Sequence, residues 1–357
     1  MGNQAVISCS WLVAVAAMVA VTGTTAAQDA SATSSSTEAA PTPTDSSAEA
    51  AIPLPTIPPP QSIVLPAPPP EVVSELDTLL QKLTAVEPRV REGAMGALAS
   101  QDSTVLPAIA IKLAALRKGA DRAGIEAILA EARKAARRDK KRDDEEDELK
   151  STVDAGRPTL AAEEQTLLDT ERTDWLQYVL REPLPDRQAY TDLVAVLGLA
   201  RTCACIGTTE AARQIINVYT YFGDLFRIDV QRQLARMKDR ALPALIEAQY
   251  HYSRMVRTWA KRRLDVLGRA IPSEAVRIND NQALADVLRA YGRAREVEAT
   301  RVIVSFANSD RLQVREAARE ALGQIGDPAR WQLRDAYEDL MGDKPPRTWD
   351  WRRTARE

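Results

Sequence analysis

The chain of 357 residues carries one histidine, His251, and three cysteines, Cys9, Cys203 and Cys205. A zinc site needs three or four converging donors, and an acyl-transfer triad needs a histidine beside its nucleophile. His251, flanked by Gln249, Tyr250 and Tyr252, reads as an exposed or locally bonded helix residue. Cys203 and Cys205 are two apart, about 200° around a helix axis, and read as small apolar residues packed between helices, with a redox pair or an intermolecular bridge as the alternative. No P-loop string, dinucleotide fingerprint, nucleophile elbow, C-x-x-C pair or zinc-protease motif occurs. Paired carboxylates such as Glu163 and Glu164 sit among polar neighbours that do not raise a pKa. The expectation is a non-catalytic chain with no cofactor and no metal.

Binding chemistry is better represented. Tyr219, Tyr221, Phe222, Phe226, Tyr250, Tyr252 and Trp259 fall within 41 of the 357 residues. Phe222, Phe226 and Trp259 fit apolar helix faces. Tyr219, Tyr221, Tyr250 and Tyr252 are the partner-binding candidates, because tyrosine anchors protein interfaces. Read as helical, Tyr250 and Tyr252 cannot both be buried on one face. A basic block, Arg133, Lys134, Arg137, Arg138, Lys140, Lys141 and Arg142, is followed at once by six acids at 143–148. The acids cancel the basic field within about one Debye length, and the whole chain has a net charge of −3. The expected partner is therefore another protein and no nucleic acid. The acids lack the alternating spacing and turn glycine of a calcium loop. The block reads as a solvated helix that frays into a flexible loop.

The elements that must position these residues begin after two non-globular segments. Residues 11–21 are an apolar run, and Ala27 closes a small-residue stretch. This reads as a signal peptide over residues 1–27, although no Lys or Arg precedes the run. It is too short for a membrane-spanning helix, which needs about 20 residues. Residues 28–70 hold 11 of the 21 prolines and four charges, all acidic. That composition cannot offset its ordering entropy and predicts a disordered linker rich in Pro, Ala, Ser and Thr. The chain is expected to be exported, periplasmic or envelope-associated, touching a membrane only through an uncleaved signal segment or a further C-terminal part.

From residue 71 onward, apolar residues recur at helical spacing, as in Leu76, Leu79, Leu80 and Leu83, and strand alternation is absent. Gly207, Gly223, Gly268, Gly292 and Gly342 stand where helix C-caps use glycine. Self-comparison adds a repeat. Val90-Arg91-x-x-Ala94-x-x-x-Leu98 returns as Val256-Arg257-x-x-Ala260-x-x-x-Leu264 and as Val314-Arg315-x-x-Ala318-x-x-x-Leu322. Phe226-Arg227-x-x-Val230-x-x-x-Leu234 is a looser copy. A proline follows each arginine, at Pro107, Pro243, Pro272 and Pro328, in the place where a second helix would open. The spacing implies a degenerate copy at residues 281–291 and 296–306. Repeats of this length bury their apolar faces only by stacking.

These strings resemble the HEAT-repeat family, whose acidic-Pro-x-Val-Arg landmark is matched by Glu87-Pro88-Arg89-Val90-Arg91. The resemblance implies an all-α, HEAT-like α-solenoid of antiparallel helix pairs, with a first unit at 71–117, a charged helical insertion at 118–185 and a repeat array at 186–342. It also implies that Arg91, Arg227, Arg257 and Arg315 are structural, tying one unit to the next. The function expected is a protein-binding scaffold of the cell envelope. A HEAT-like lyase-type enzyme and a structural spacer within a longer envelope protein are the alternatives. Residues 343–357 read as the start of a further helix capped by Thr348, with Trp349 and Trp351 awaiting later helices to cover them.

Overall fold

Proline's fixed φ and missing N–H suit the first turn of a helix. It stands there at Pro70, Pro88, Pro107, Pro243 and Pro272. The computed structural model describes residues 66–150 and 175–356, and every regular element among them is a helix. The apolar run at 11–21, most of the proline-rich stretch and the Glu163–Glu164 pair lie outside the described residues.

The first half comprises α1 (Pro70–Leu83), α2 (Pro88–Ala99), α3 (Leu106–Gly119), α4 (Arg122–Lys150), α5 (Trp175–Val179) and α6 (Gln188–Ile206). Helix α6 is the hub, packed by α1 to α5 and by the two helices that follow it. With 19 residues and a mean hydropathy of 1.4, α6 is long and apolar enough to cross a membrane, yet 72% of that stretch is buried within the fold. Helices that are apolar all round are those with neighbours on every side. Two of its buried polar residues are satisfied locally: Thr202 Oγ1 donates to the Gly198 carbonyl at 2.9 Å, and Gln188 Nε2 donates to Asp192 at 2.8 Å, while the buried Tyr190 hydroxyl has no hydrogen-bond partner among the described residues.

The second half comprises α7 (Thr209–Phe222), α8 (Arg227–Met237), α9 (Leu242–Ala248), α10 (Arg254–Val266), α11 (Pro272–Ala275), α12 (Asn281–Ala294), α13 (Thr300–Val304), α14 (Leu312–Ile325), α15 (Arg330–Met341) and α16 (Trp351–Arg356). Helix α9 packs on α12, α12 on α14, and α13 on both α14 and α15. The repeated apolar positions do the burying: Val256, Ala260, Leu264, Val314, Ala318 and Leu322 are all buried. Where the spacing implies a degenerate copy, at 281–306, the chain forms α12, a 3-10 turn, Val297–Ala299, and α13.

Three of the four repeat arginines act alike. Arg91, Arg257 and Arg315 are each the fourth residue of their helix. Each guanidinium reaches back to carbonyls in the turn before that helix. Arg91 donates to Ala85 and Val86 at 2.8 and 2.5 Å, Arg257 to His251 and Tyr252 at 2.7 and 2.8 Å, and Arg315 to Ser309 at 3.2 Å. Carbonyls left over at a helix end gain a charged donor in this way. Arg227 differs: it opens α8 directly after a 3-10 turn, so no such loop precedes it, and it faces Asp224 at 3.6 Å.

Four local expectations change. Gly292 lies inside α12, where a Cβ would come within 2.6 Å of the Ala321 backbone, while the left-handed C-cap is Arg295 at φ 53°. Close approach of α12 and α14, not chain reversal, is what Gly292 permits. Helix α4 runs unbroken through the junction of bases and acids, while Ile125, Leu129, Ala132 and Ala136 anchor its N-terminal half in the core. The acidic side chains at 143–148 lie outside the described residues. Cys203 is buried as expected, and burial pushes its thiol up; Cys205, half a turn round, is exposed. At the C-terminus, Asp350, not Thr348, accepts the cap bond, from the Arg353 N–H at 2.8 Å. Trp349 meets Tyr337 edge-on at 5.7 Å, and Trp351 lies over Gly326. Both tryptophans are half-buried against the residues before them.

Candidate functional site

Helix α7 ends at Gly223, whose φ of +64° turns the chain into a 3-10 segment. The N-terminal half of α10 packs across this end. Tyr219 stacks on Trp259 with centroids 4.6 Å apart, and Met255 covers Gly223. Tyr219 is 3% exposed and belongs to the core, its hydroxyl directed at Asp224 at 3.4 Å. Tyr221 is half-buried beneath the Arg117 guanidinium, 5.1 Å from its ring centroid. Burial raises the Tyr221 phenol pKa, Arg117 partly opposes that, and nearby Tyr252 adds to the rise.

Tyr250 and Tyr252 are not on a helix. They occupy the turn between α9 and α10, so the opposite-faces argument does not govern them. Arg257 fixes the turn through the carbonyls of residues 251 and 252, and His251 Nδ1 accepts from the Ser253 N–H at 3.2 Å. His251 also lies against the Tyr252 ring at 4.2 Å, and its pKa is lowered, by burial first and by Arg257 second. With the backbone held, the side chains point outward: Tyr252 is 76% exposed, and Tyr250 and Met255 are each 41% exposed. The fold therefore exposes Tyr250 and Tyr252 on one turn and Met255 just after it, with Tyr252 near the half-buried Tyr221, and assigns Tyr219 to the interior.

A second constellation was not legible in the sequence. Glu247 of α9 accepts from Arg213 Nε at 2.6 Å and Nη2 at 2.8 Å and from Arg293 Nε at 2.7 Å, with Arg293 Nη2 in ion-pair contact at 2.6 Å. Burial alone would raise the Glu247 carboxyl; the two guanidinium groups outweigh it and hold the pKa below the usual carboxylate range. Arg213 also donates to Glu210 at 3.1 Å, and burial raises the Glu210 carboxyl. A neighbouring chain of contacts runs from Thr209 to Asp286, and from Arg289 to both Asp286 and Glu320. Three helices, α7, α9 and α12, thus share one ion cluster, while α14 joins through Glu320. Every carboxylate oxygen of Glu247 is taken, so the cluster joins helices and offers no open anion or substrate site.

Among the described residues no group of three or more His, Cys, Asp and Glu side chains could hold a metal ion. The cavity lined by Leu83, Leu98, Leu176, Gly198 and Thr202 has about 10 Å³ of free volume, room for one water. Neither the model of a known protein family nor the sequence of a curated protein matches the chain.

Proposed function

We propose that this chain is an exported, non-catalytic protein-binding scaffold of the cell envelope, its helix pairs stacked as a HEAT-like α-solenoid. The stacking is supported by α12 on α14 and α13 on α15, and by three arginines pinning equivalent inter-helix turns. The observation that carries the binding role is the exposure of Tyr250 and Tyr252 on a turn whose backbone is locked by Arg257, with Met255 exposed at the start of α10. Aromatic side chains held in place before binding lose little entropy when a partner covers them. The proposed export rests on the apolar run and small-residue site at residues 11–27.

The test is a photo-crosslinking residue at position 252, with a control at Ser273 on the α11 side, followed by purification from envelope fractions. The expected result is one stoichiometric protein adduct at 252, its yield reduced severalfold by Tyr250→Ala, and a mature N-terminus near Gln28. Equal labelling at both positions, or an intact Met1 in a cytoplasmic fraction, would refute the reading.

A further inference from the structure

Helix α10 has an outer face that no other helix covers. Its buried residues, Val256, Trp259, Ala260, Arg263 and Leu264, take up one side. Arg254, Met255, Thr258, Lys261 and Arg262 are all exposed, and at 100° per residue they share an arc of roughly 120° on the other. Arg254, Lys261 and Arg262 make no ion pair among the described residues. Arg240 and Arg269, by contrast, face Asp280 and Asp239 at 3.5 and 4.0 Å. Asp265, one turn further along, is the single acid on this face. The chain as a whole is slightly acidic at net −3, so this face is a local concentration of uncompensated positive charge. It is continuous with the tyrosine turn, because Met255 and the turn residues Tyr250 and Tyr252 stand at its N-terminal end.

We infer that the α10 face and the turn before it form a docking surface for an acidic peptide segment carrying an aromatic or apolar anchor. This rests on the scaffold reading above and names the chemistry of its partner. Three unpaired cations along about 12 Å of helix match two or three carboxylates of an extended or helical segment. Exposed Tyr252 and Met255 supply the contact for the anchor. Tyrosine, methionine and arginine are the residues enriched at protein interfaces. Nucleic acid fits less well: its binding sites typically neutralise several more phosphates, roughly 6 to 10, in a continuous track. Here the cations end at Asp265, Val266 and Leu267.

The experiment is selection of a displayed library of random peptides, about 12 residues long, on the full chain, read by sequencing and by fluorescence polarisation of the enriched peptides. The expected winners are net negative with one or two aromatic or apolar residues. The variant Arg254→Glu/Lys261→Glu/Arg262→Glu is expected to bind them at least about tenfold more weakly, and added salt to weaken the parent. Lys261→Gln/Arg262→Gln, a milder change, gives the same direction if the triple variant melts early. Neutral or basic winners, or a charge-reversed variant that binds like the parent, overturn the acidic-partner inference. If Tyr250→Ala/Tyr252→Ala still abolishes that binding, the scaffold reading survives. Tighter binding of a single-stranded oligonucleotide than of any peptide overturns the inference too, and no enrichment at all overturns both.

Discussion

Replacing Glu247 with alanine tests the buried ion cluster most directly. The Glu247 side chain is 12% exposed, and its Arg213 and Arg293 partners are 10% and 17% exposed. Three guanidinium N–H groups donate to it and a fourth guanidinium nitrogen pairs with it, all within 2.8 Å. Alanine removes the one acceptor that both arginines share among the described residues, and leaves two like charges close together and largely shut off from water, with Glu210 the remaining carboxylate beside Arg213. Deleting one partner of a buried ion pair costs about 3–5 kcal/mol. For a fold of this size each kcal/mol moves Tm by roughly 2–4 °C, so the melt should fall by about 6–20 °C. Replacing the cluster together with its Glu210 partner, Glu210→Gln/Arg213→Leu/Glu247→Leu/Arg293→Met, should recover most of that loss, because an ion cluster in low dielectric offsets little more than its own desolvation. The acid limb carries a sign. The folded carboxyl titrates below its unfolded value of about 4.3, so Glu247 stabilises fully above that value. Its contribution is lost as pH falls through the folded pKa. Parent and Glu247→Ala melts should therefore converge in acid. The assay is thermal unfolding by circular dichroism at several pH values. A loss below about 1 kcal/mol at neutral pH would show that water reaches the cluster and would refute the reasoning.

Three further outcomes follow from the same geometry. His251, the one histidine in the chain, should give an NMR titration midpoint below about 6.5, because burial and Arg257 both disfavour its charged form. Its neutral-form contribution to stability should vanish as pH falls through that midpoint, and a midpoint at or above the free value would mean that the turn is open. Gly292→Ala should destabilise by about 1–3 kcal/mol or more, since the new methyl meets the Ala321 backbone at 2.6 Å; an unchanged melt would show that α12 and α14 slide apart freely. Tyr250→Ala/Tyr252→Ala should weaken partner capture while leaving Tm within about 2 °C of the parent, because exposed interface anchors contribute to binding more than to folding. A large drop in Tm would place those side chains in the core.

The sequence by itself determined what depends on neighbours along the chain. Helix starts at Pro88, Pro107, Pro243 and Pro272 and stops at Gly207, Gly223 and Gly342 follow from φ restrictions that act within one turn. The repeated Val-Arg-x-x-Ala-x-x-x-Leu string located α2, α10 and α14 and their buried faces, because side chains three and four residues apart share a helix surface whatever lies beyond it. The tertiary structure decided what depends on distance through space. Glu247 stands 34 residues from Arg213 and 46 from Arg293, and no periodicity in the chain marks those three as partners. Gly292 looks like a helix stop in sequence and becomes a contact point because Ala321, on another helix, needs its missing Cβ. Tyr219 and Tyr221 are two residues apart, yet Trp259 claims the first for the core and Arg117 half-covers the second. Tyr250 and Tyr252 remain outside because the Arg257 guanidinium holds their turn off the helix, a side-chain-to-backbone bond that local propensity does not encode. Local rules fix where a helix begins and which side is apolar; which polar side chain ends beside which is settled by packing, where burial turns a chance meeting of charges into an obligatory one.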